Sequence, residues 1–406
     1  MKKILFVTSR NILTSCGEIR LIKNRAEAFY NIYGIPTDFV ALQKSDRIAS
    51  KSKEFIDAGG SLTCFPFSFG NPLLFLKSLK KLEKEVIARV ESGEYCMVVL
   101  SGFCMNRLAK IIKLHSNVYT VIDIHGASED SLLLAKYAPF HKRILLMLSY
   151  YIGKLIPDKS LMNANGCFVV TKALEDYVKN SQVVHKNFDF YRIPCATSMN
   201  KLSEEEYVAY RNDYRLKYDI KPAEKVFIYS GGVSPWQCID ETIELYRNLS
   251  KRIQGKSRLI MLSYNINVIK EKLIDGDNII CDSYHPNELT KVLCAGDYAF
   301  FLRKNCITNN VAFPNKYLEY LLAGMYIIST PYVFESAEQI GKNKLGYLYD
   351  FDNVDGLVNY IDNTPIERKY DVSLIENILY RNSFEYTLKP LIQNIEAYEK
   401  ENILDS

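Results

Sequence analysis

Short apolar runs rich in β-prone residues alternate with longer helical patterns along the whole 406-residue chain. The runs are four to six residues long, which is the length of a buried strand. Alternation of this kind predicts parallel sheets with helices on both faces, because parallel strands need long crossover connections. The predicted strands are residues 4–8, 37–42, 97–101, 119–124 and 166–170 in the first half, and residues 226–230, 258–263, 278–281, 298–302 and 326–329 in the second.

Two such series in one chain predict two domains of the doubly wound, Rossmann-like type. The break between them follows Ile193-Pro194, where a polar stretch interrupts the pattern. We therefore predict an α/β protein with a first domain over residues 1–197, a second over residues 198–379 and a ligand cleft between them. A last helical segment, about residues 380–402, has no strand after it and is expected to pack back on the first domain.

The two halves of the chain have opposite charge balances. Residues 1–199 hold 27 Lys and Arg against 17 Asp and Glu, whereas residues 200–406 hold 24 against 30, within a net charge of +4. The basic half indicates an anionic partner, such as a lipid diphosphate or an anionic membrane face, and we expect no nucleic-acid partner. Ordinary variation between two domains is the alternative.

The most apolar later run covers residues 144–153 and is flanked by Lys142, Arg143 and Lys154. Ten residues cannot span a bilayer, which needs about twenty. We expect a buried core helix here, and contact with a membrane surface is the alternative.

Cysteine usage and the N-terminus indicate a cytosolic protein. The ten cysteines are spaced singly with no C-x-x-C pair, so neither a zinc site nor a thioredoxin-type motif is predicted. The apolar run in MKKILFVTSRN is too short for a signal peptide and is typical of a first strand. Two D-x-D matches, at Asp275 with Asp277 and at Asp350 with Asp352, are assigned to polar turns, and we expect no metal site.

The stretch VFIYSGGVSPWQCIDETIEL, residues 226–245, leads from a predicted strand through Gly231 and Gly232 into a helix from about Trp236. Glycines at such a turn let the backbone approach a ligand, and a helix amino terminus presents free N–H groups to a phosphate. Gly231, Gly232 and Ser234 are therefore candidate donor-binding residues. The spacing matches neither G-x-G-x-x-G nor a P-loop, and a simple tight turn is the alternative.

The stretch FPNKYLEYLLAGMYIIST opens a second helix at the same predicted sheet edge. The strand before it, residues 298–302, ends in Arg303, and the helix begins near Asn315. Arg303 and Lys316 would add positive charge beside the first helical N–H groups, a combination that suits a diphosphate. Glu319, one turn later, can accept two hydrogen bonds from a vicinal diol. The alternative for Lys316 and Glu319 is a surface ion pair at i,i+3 spacing.

The stretch YTVIDIHGASEDSL places His125 at the carboxyl end of a predicted strand in the first half. A histidine there can contact a ligand or simply form hydrogen bonds within the fold, and both interpretations stay open. Asp123, Glu129 and Asp130 could orient it or begin the following helix. Tyr284, after a strand of the second half, is a candidate for stacking on a nucleotide base.

In this order, the motifs resemble those of the GT-B fold glycosyltransferases, and within them the retaining enzymes of glycosyltransferase family four, over nearly the whole chain. The matching pieces are MKKILFVTS with Gly17 in the loop after it, VIDIHG, CFVVTKALEDYV, IPC, YSGG, NIICDSYHPNELTKVLCAGDYAFFLR and FPNKYLEYLLAGMYIIST. They are similar to bacterial enzymes that build capsules, O-antigens and other surface glycans.

The resemblance implies that a nucleotide-diphosphate sugar binds to the second domain, with its diphosphate at Asn315 and Lys316 and its ribose hydroxyls on Glu319. It also implies that His125 lies against the donor sugar and that Gly17 lies near donor and acceptor. The implied acceptor is a glycan or a polyprenyl-diphosphate-linked glycan. No cofactor and no metal ion are implied, because helix amino termini and cationic side chains neutralise the leaving diphosphate.

The sequence departs from the family pattern upstream of the second helix. The family usually has two glutamates separated by seven residues, the first of which contacts the sugar. Glu319 matches the second, whereas Val311 stands at the first position. Asn309 or Asn310 could substitute, and Asn310 is kept as a candidate donor-binding residue.

The family's basic pair after the glycine turn is also replaced, by Gly232 and Gln237, which gives more weight to Arg303 and Lys316. We therefore expect a glycosyltransferase of cell-surface polysaccharide biosynthesis, acting with retention and without metal, in the cytoplasm or peripherally at the inner membrane face. Two alternatives remain. One is a GT-B polyol-phosphate transferase with a CDP-linked donor, and the other is a non-catalytic GT-B partner of an active transferase.

Overall fold

The computed structural model describes residues 2–10, 12, 17–43, 59–66, 71–102, 104–155, 159–195, 202–365 and 372–404. The chain divides into two compact units, the first drawn from Met1–Ala196 with Tyr380–Ser406 and the second from Thr197–Leu379. Each unit contains one parallel sheet with helical crossovers. The fold class predicted from the alternating pattern, α/β with two Rossmann-like sheets, is confirmed.

The first unit is built on a seven-stranded sheet in the order β3-β2-β1-β4-β5-β6-β7. Its central strands are apolar and buried on both faces, as parallel strands between helical layers must be. The strands are β1 (Lys3–Thr8), β2 (Thr37–Gln43), β3 (Leu62–Pro66), β4 (Tyr95–Ser101), β5 (Tyr119–Asp123), β6 (Gly166–Val169) and β7 (Asp189–Arg192). The helices are α1 (Gly17–Tyr33), α2 (Pro72–Glu91), α3 (Leu108–His115), α4 (Asp130–Tyr137), α5 (Phe140–Leu155) and α6 (Lys172–Ser181).

The last described helix, α16 (Phe384–Leu404), belongs to the core of the first unit. Its residues Leu388 and Leu391 are fully buried in the same apolar cluster as Ile22 and Phe29 of α1. The periodicity explains the packing, because Leu388, Leu391 and Ile395 recur at spacings of three and four residues and so share one face of the helix.

The second unit is built on a six-stranded parallel sheet in the order β10-β9-β8-β11-β12-β13. Its strands are β8 (Lys225–Ser230), β9 (Ser257–Leu262), β10 (Ile279–Asp282), β11 (Tyr298–Phe301), β12 (Tyr326–Ser329) and β13 (Gly346–Leu348). Its helices are α7 (Glu204–Lys217), α8 (Ile239–Arg252), α9 (Ile266–Lys270), α10 (Pro286–Leu293), α11 (Ile307–Asn310), α12 (Asn315–Leu322), α13 (Phe334–Lys342) and α14 (Val354–Asn363). A further helix, α15 (Val372–Arg381), spans the boundary between the two units.

Aromatic rings fill the core of the second unit. Phe227 of β8 stacks on Tyr298 and Phe300 of β11, with ring centroids 5.1 and 5.3 Å apart. Asp297, the residue before β11, connects the sheet to α7. It accepts a hydrogen bond from the Val226 amide at 2.7 Å and another from Arg211 of α7. This network ties α7 to the start of the two central strands.

Three strands lie outside the predicted set, namely β3, β7 and β13. All three are edge strands of their sheets. An edge strand has a neighbour on one side only, so it needs fewer apolar residues and gives a weaker sequence pattern. The turn assignment for Asp277 agrees with its contacts, because its carboxylate accepts from the Ile274 amide and pairs with Arg247.

The prediction of a buried core helix over residues 144–153 is wrong. These residues lie in α5, and Phe140, Ile144, Leu148 and Tyr151 of that helix are exposed, while Tyr150 is buried. The helix packs on α4. In most proteins the apolar residues of a helix lie on the face that packs in the core. In α5 the apolar residues are too many for one buried face, so some of them lie on the exposed face. No helix in the described ranges is long and apolar enough to cross a membrane.

Candidate functional site

The candidate site of the second unit lies at the carboxyl ends of β8 and β11, which are neighbours in the sheet. Because the strands are parallel, the turn after β8 and the loop after β11 leave the sheet at the same edge. β8 runs into Gly231 and Gly232, and β11 runs into Leu302 and Arg303. The helix α12 begins twelve residues after Arg303, at Asn315.

Lys316 joins the two motifs that the sequence analysis treated separately. Its Nζ donates to Oε1 of Gln237 at 2.7 Å and lies 3.4 Å from the Tyr229 hydroxyl. The ammonium also lies 4.6 Å from the centroid of the Tyr229 ring, in a cation–π arrangement. The alternative interpretation, a surface ion pair between Lys316 and Glu319, is not what the structure shows, since Lys316 contacts β8 and its turn.

Gly231 has its backbone in the region that L-residues avoid, with φ of +140°. A Cβ at this position would overlap the Nζ and Cε of Lys316. The lysine side chain therefore passes directly over the glycine backbone, and any larger residue would displace it. At Gly232, by contrast, a Cβ would meet no atom within 4 Å.

Side-chain hydrogen bonds hold the glycine turn in place. The Tyr229 hydroxyl donates to the Gly232 carbonyl at 2.6 Å, and the Ser230 amide donates to the Tyr320 hydroxyl at 2.9 Å. The predicted helix start near Trp236 is a short 3-10 turn, Pro235–Gln237, preceded by Ser234, and α8 itself begins at Ile239. This turn places Gln237 where its side chain can accept from Lys316.

Arg303 is the second cation of the site and is buried, with 3% of its surface exposed. Its Nη1 donates to the Leu302 carbonyl at 2.7 Å, and its guanidinium lies 4.9 Å from the Phe301 ring centroid. Among the residues that the structure describes, no carboxylate forms an ion pair with Arg303 or with Lys316. A guanidinium this deeply buried usually has an anionic partner.

The two cations also affect each other. Burial lowers the pKa of Lys316 well below its ordinary value, and the nearby positive charge of Arg303 lowers it further, while Glu319 acts in the opposite direction. Burial likewise lowers the pKa of Arg303. Two like charges at this proximity favour a bound anion that would neutralise both.

The amino end of α12 completes the arrangement. Its N-cap residue, Pro314, provides no side-chain hydrogen bond to the first turn, and the Tyr317 amide donates to the Pro314 carbonyl at 3.1 Å. The Oδ1 atom of Asn315 is buried, and no described group donates to it. Glu319 is buried one turn later. A helix amino terminus without a side-chain cap and two cations beside it are the elements of a diphosphate site.

Other predicted donor residues have different surroundings. The Asn310 amide donates to the Tyr332 carbonyl at 3.0 Å, which fixes the loop after α11. The Tyr284 hydroxyl lies 2.6 Å from the Tyr218 hydroxyl and accepts from Lys217 at 2.5 Å. Within the described part of the chain, no contact joins Tyr284 to Lys316, so the two are not brought together. Val311 is buried at the C-cap of α11.

In the first unit, His125 follows β5 and lies at the end of a chain of polar contacts. Its Nε2 is 3.0 Å from Oδ2 of Asp123 and 3.2 Å from Oγ of Ser101. Asp123 in turn accepts from Nη1 of Arg25 at 2.5 Å, and the second guanidinium nitrogen donates to the Ile193 carbonyl at 3.1 Å. Of the two interpretations given for Asp123, this contact is the one expected if it orients His125.

Arg25 is the residue of this chain of contacts that the sequence analysis missed. Burial alone would raise the pKa of Asp123, but the charge of Arg25 and the pairing with His125 outweigh it and hold that pKa far below its usual range. The signal in the sequence is a lone arginine on the buried face of α1, beside Ala26. Gly17 is the first residue of α1, and the four residues before it lie outside the described ranges.

No protein-family model matches the chain, and no curated protein matches its sequence. Solved structures do match along nearly the whole length. A glycosyltransferase from Rickettsia africae ESF-5 superposes with a TM-score of 0.68 at 12% identity, covering 98% of this chain and 99% of that one. WaaG, a glycosyltransferase involved in lipopolysaccharide biosynthesis, gives a TM-score of 0.61 at 14% identity, covering 97% and 99%.

Anabaena HepE, solved in complex with UDP and glucose, gives a TM-score of 0.57 at 11% identity, covering 98% of this chain and 100% of that one. At these identities the similarity establishes the fold, and it is the GT-B fold of these proteins. In the part of the chain that the structure describes, no cluster of three or more His, Cys, Asp or Glu side chains is arranged to hold a metal ion.

Proposed function

We propose that this protein is a glycosyltransferase that takes a sugar from a nucleotide-diphosphate donor. The observation that carries the proposal is a pair of cations beside the amino end of α12, the buried Arg303 and the half-buried Lys316, neither of which forms an ion pair with a carboxylate in the described part of the chain. A diphosphate supplies negative charge that both cations can contact directly. A structure with the same fold was solved with UDP and glucose, which supports a nucleotide sugar as the ligand.

The chemistry follows from where negative charge develops. When the bond between the sugar and the diphosphate breaks, the leaving diphosphate gains charge, and groups already aimed at it lower the barrier. We assign this role to Arg303 and Lys316 together with the backbone N–H groups of Gly232 and Asn315. Two cationic side chains supply the stabilisation that a metal ion would give, and we propose that transfer proceeds without one.

We further propose transfer with retention, as in the family that the motifs resemble, with the acceptor hydroxyl attacking on the face from which the diphosphate leaves. Glu319 would bind the ribose hydroxyls, and His125 would contact the transferred sugar. We expect the acceptor to be a glycan or a polyprenyl-diphosphate-linked glycan in surface polysaccharide biosynthesis. The enzyme would then work in the cytoplasm, at the inner face of the membrane.

The test measures nucleotide binding before activity. Purified protein is screened by thermal shift and calorimetry against UDP, GDP, ADP and CDP and their sugar conjugates. Lys316→Ala and Arg303→Ala are expected to weaken nucleotide binding by at least tenfold, because each removes one cation from the diphosphate site. Lys256→Ala is the matched control, since Lys256 is exposed and lies at the amino end of β9, away from the site edge.

The outcomes separate the alternatives. A shift with one nucleotide that both variants lose supports the proposed donor site. A shift with CDP compounds alone supports a polyol-phosphate transferase. No shift with any nucleotide, in protein that folds normally, overturns the proposal in favour of a non-catalytic partner protein.

A further inference from the structure

The outer face of α5 is apolar where a helix exposed to water is normally polar. Its exposed large side chains are Phe140, Ile144, Met147, Leu148 and Tyr151. The spacings of four, three, one and three residues place them along one stripe of the helix. Phe140 is 78% exposed and Leu148 is 53% exposed, so these side chains stand in solvent. Isolated surface leucines are common, but a continuous stripe of this size marks an interaction surface.

Helix α4 extends the same surface. It packs directly against α5, and its residues Leu134 and Tyr137 are also exposed. The buried residues of the pair include Ala135 of α4 and Tyr150 of α5, and the Tyr150 hydroxyl donates to Glu129, just before α4, at 3.5 Å. We call the exposed residues of the two helices the α4–α5 face.

The exposed charged residues of α4 and α5 are cations. Lys136, Lys142 and Arg143 are exposed, and α5 contains no Asp or Glu. The one acidic residue of α4, Asp130, is half-buried in its first turn, and Glu129 just before the helix accepts from the Tyr177 hydroxyl at 2.5 Å. Exposed apolar side chains with cations as the exposed charges are typical of surfaces that lie on anionic lipid.

We propose that the α4–α5 face docks on a membrane with anionic headgroups. The apolar stripe would enter the boundary between headgroups and acyl chains, and Lys136, Lys142 and Arg143 would contact lipid phosphates. A second copy of this chain fits less well, because a symmetric interface would bring the same cations of both copies together. The inference deepens the proposed function by specifying where a lipid-linked acceptor is met, and its test does not depend on transfer activity.

The experiment is vesicle co-sedimentation of the full chain, with phosphatidylcholine vesicles and with vesicles that also contain phosphatidylglycerol. The variants are Phe140→Ser with Leu148→Ser for the apolar stripe, and Lys142→Glu with Arg143→Glu for the charges. The control is Lys251→Glu with Lys270→Glu, which reverses the charge of two exposed lysines of the second unit. Thermal shift with nucleotides is recorded for every variant.

Wild type and the control are expected to bind the anionic vesicles, and binding should weaken in high salt. Each α4–α5 variant should bind at least tenfold more weakly while its nucleotide shift stays that of the wild type. Equal vesicle binding by wild type and both variants would overturn the inference. A second result would also overturn it. If wild type does not bind vesicles but self-associates in sedimentation velocity, and Phe140→Ser with Leu148→Ser abolishes that self-association, the face is a protein interface. Failure of the nucleotide shift alone would count against the proposed function and not against the docking face.

Discussion

Replacing Gly231 by alanine tests the central geometry of the site with one methyl group. The backbone there has φ of +140°, and a Cβ would occupy the space taken by the Lys316 ammonium. Gly232 is the neighbouring residue in the same turn, yet a Cβ at that position is unobstructed. Gly232→Ala is therefore a control that differs from the test variant by one position.

The expected loss of folding free energy in Gly231→Ala has two contributions. A non-glycine residue in this part of backbone space costs about 1–3 kcal/mol of folding free energy. Displacing Lys316 breaks its charged hydrogen bond to Gln237, which measures 2.7 Å, and such bonds contribute about 1.5–3 kcal/mol. Because the displaced ammonium can bind water again, we expect a net loss of about 2–3 kcal/mol. If the ammonium leaves the diphosphate site, nucleotide affinity should fall about tenfold or more, since tenfold corresponds to about 1.4 kcal/mol.

Urea unfolding and calorimetry with the nucleotide that binds wild type measure the two effects. Gly231→Ala should lower both the urea midpoint and the affinity, whereas Gly232→Ala should leave both close to wild type. If the two variants behave alike, Lys316 does not pass over Gly231 and the proposed site is incorrect. If only stability falls, the glycine is needed for the turn and Lys316 does not contact the diphosphate.

Three further predictions use other contacts. Asp123→Asn leaves Arg25 buried without its counter-charge and should destabilise the first unit by about 3–5 kcal/mol in urea unfolding. The pKa of Asp123 is lower in the folded than in the unfolded state, so its contribution to stability is present at neutral pH and is lost as the pH falls below about 4. The free energy of unfolding of Asp123→Asn should therefore decrease less on acidification than that of wild type. Because the pKa of Lys316 is lowered, nucleotide affinity should decline with rising pH at a lower pH than the one at which an ordinary lysine deprotonates. Calorimetry across pH should show this decline in wild type and not in Lys316→Arg. Leu388→Ala should cost about 2–5 kcal/mol as a large-to-small core change, while Tyr386→Ala, exposed on the same helix, should stay within about 0.5 kcal/mol.

The sequence was sufficient to predict the sheets because their central strands are buried on both faces and read as uniform apolar runs. It was also sufficient to place Gly231 and Lys316 at one sheet edge, since parallel strands end together. It could not show that the two residues touch, because 85 positions separate them and the contact depends on the side-chain path of Lys316 over the turn. Three of the four edge strands, β3, β7 and β13, were not predicted, because partial exposure allows polar residues in them.

The outcome for α5 has a different cause. Residues 144–153 are as apolar as a core helix. The amino-acid pattern shows that such a helix has apolar side chains, but it does not show whether the protein core covers them. Arg25 was overlooked for a related reason. An arginine in a helical pattern is normally placed at the surface, and only the position of β5 beside α1 makes it a buried partner for Asp123.

The packing of α16 on the first unit has a consequence for synthesis of the chain. A ribosome makes the first sheet early, but Leu388 and Leu391, which close its core, emerge only after the whole second unit has been made. The second unit can therefore complete its fold while the first still exposes an unfilled apolar surface. The order of maturation is the reverse of the order of translation, and a nascent chain stalled before Phe384 should be bound by chaperones through its amino-terminal half.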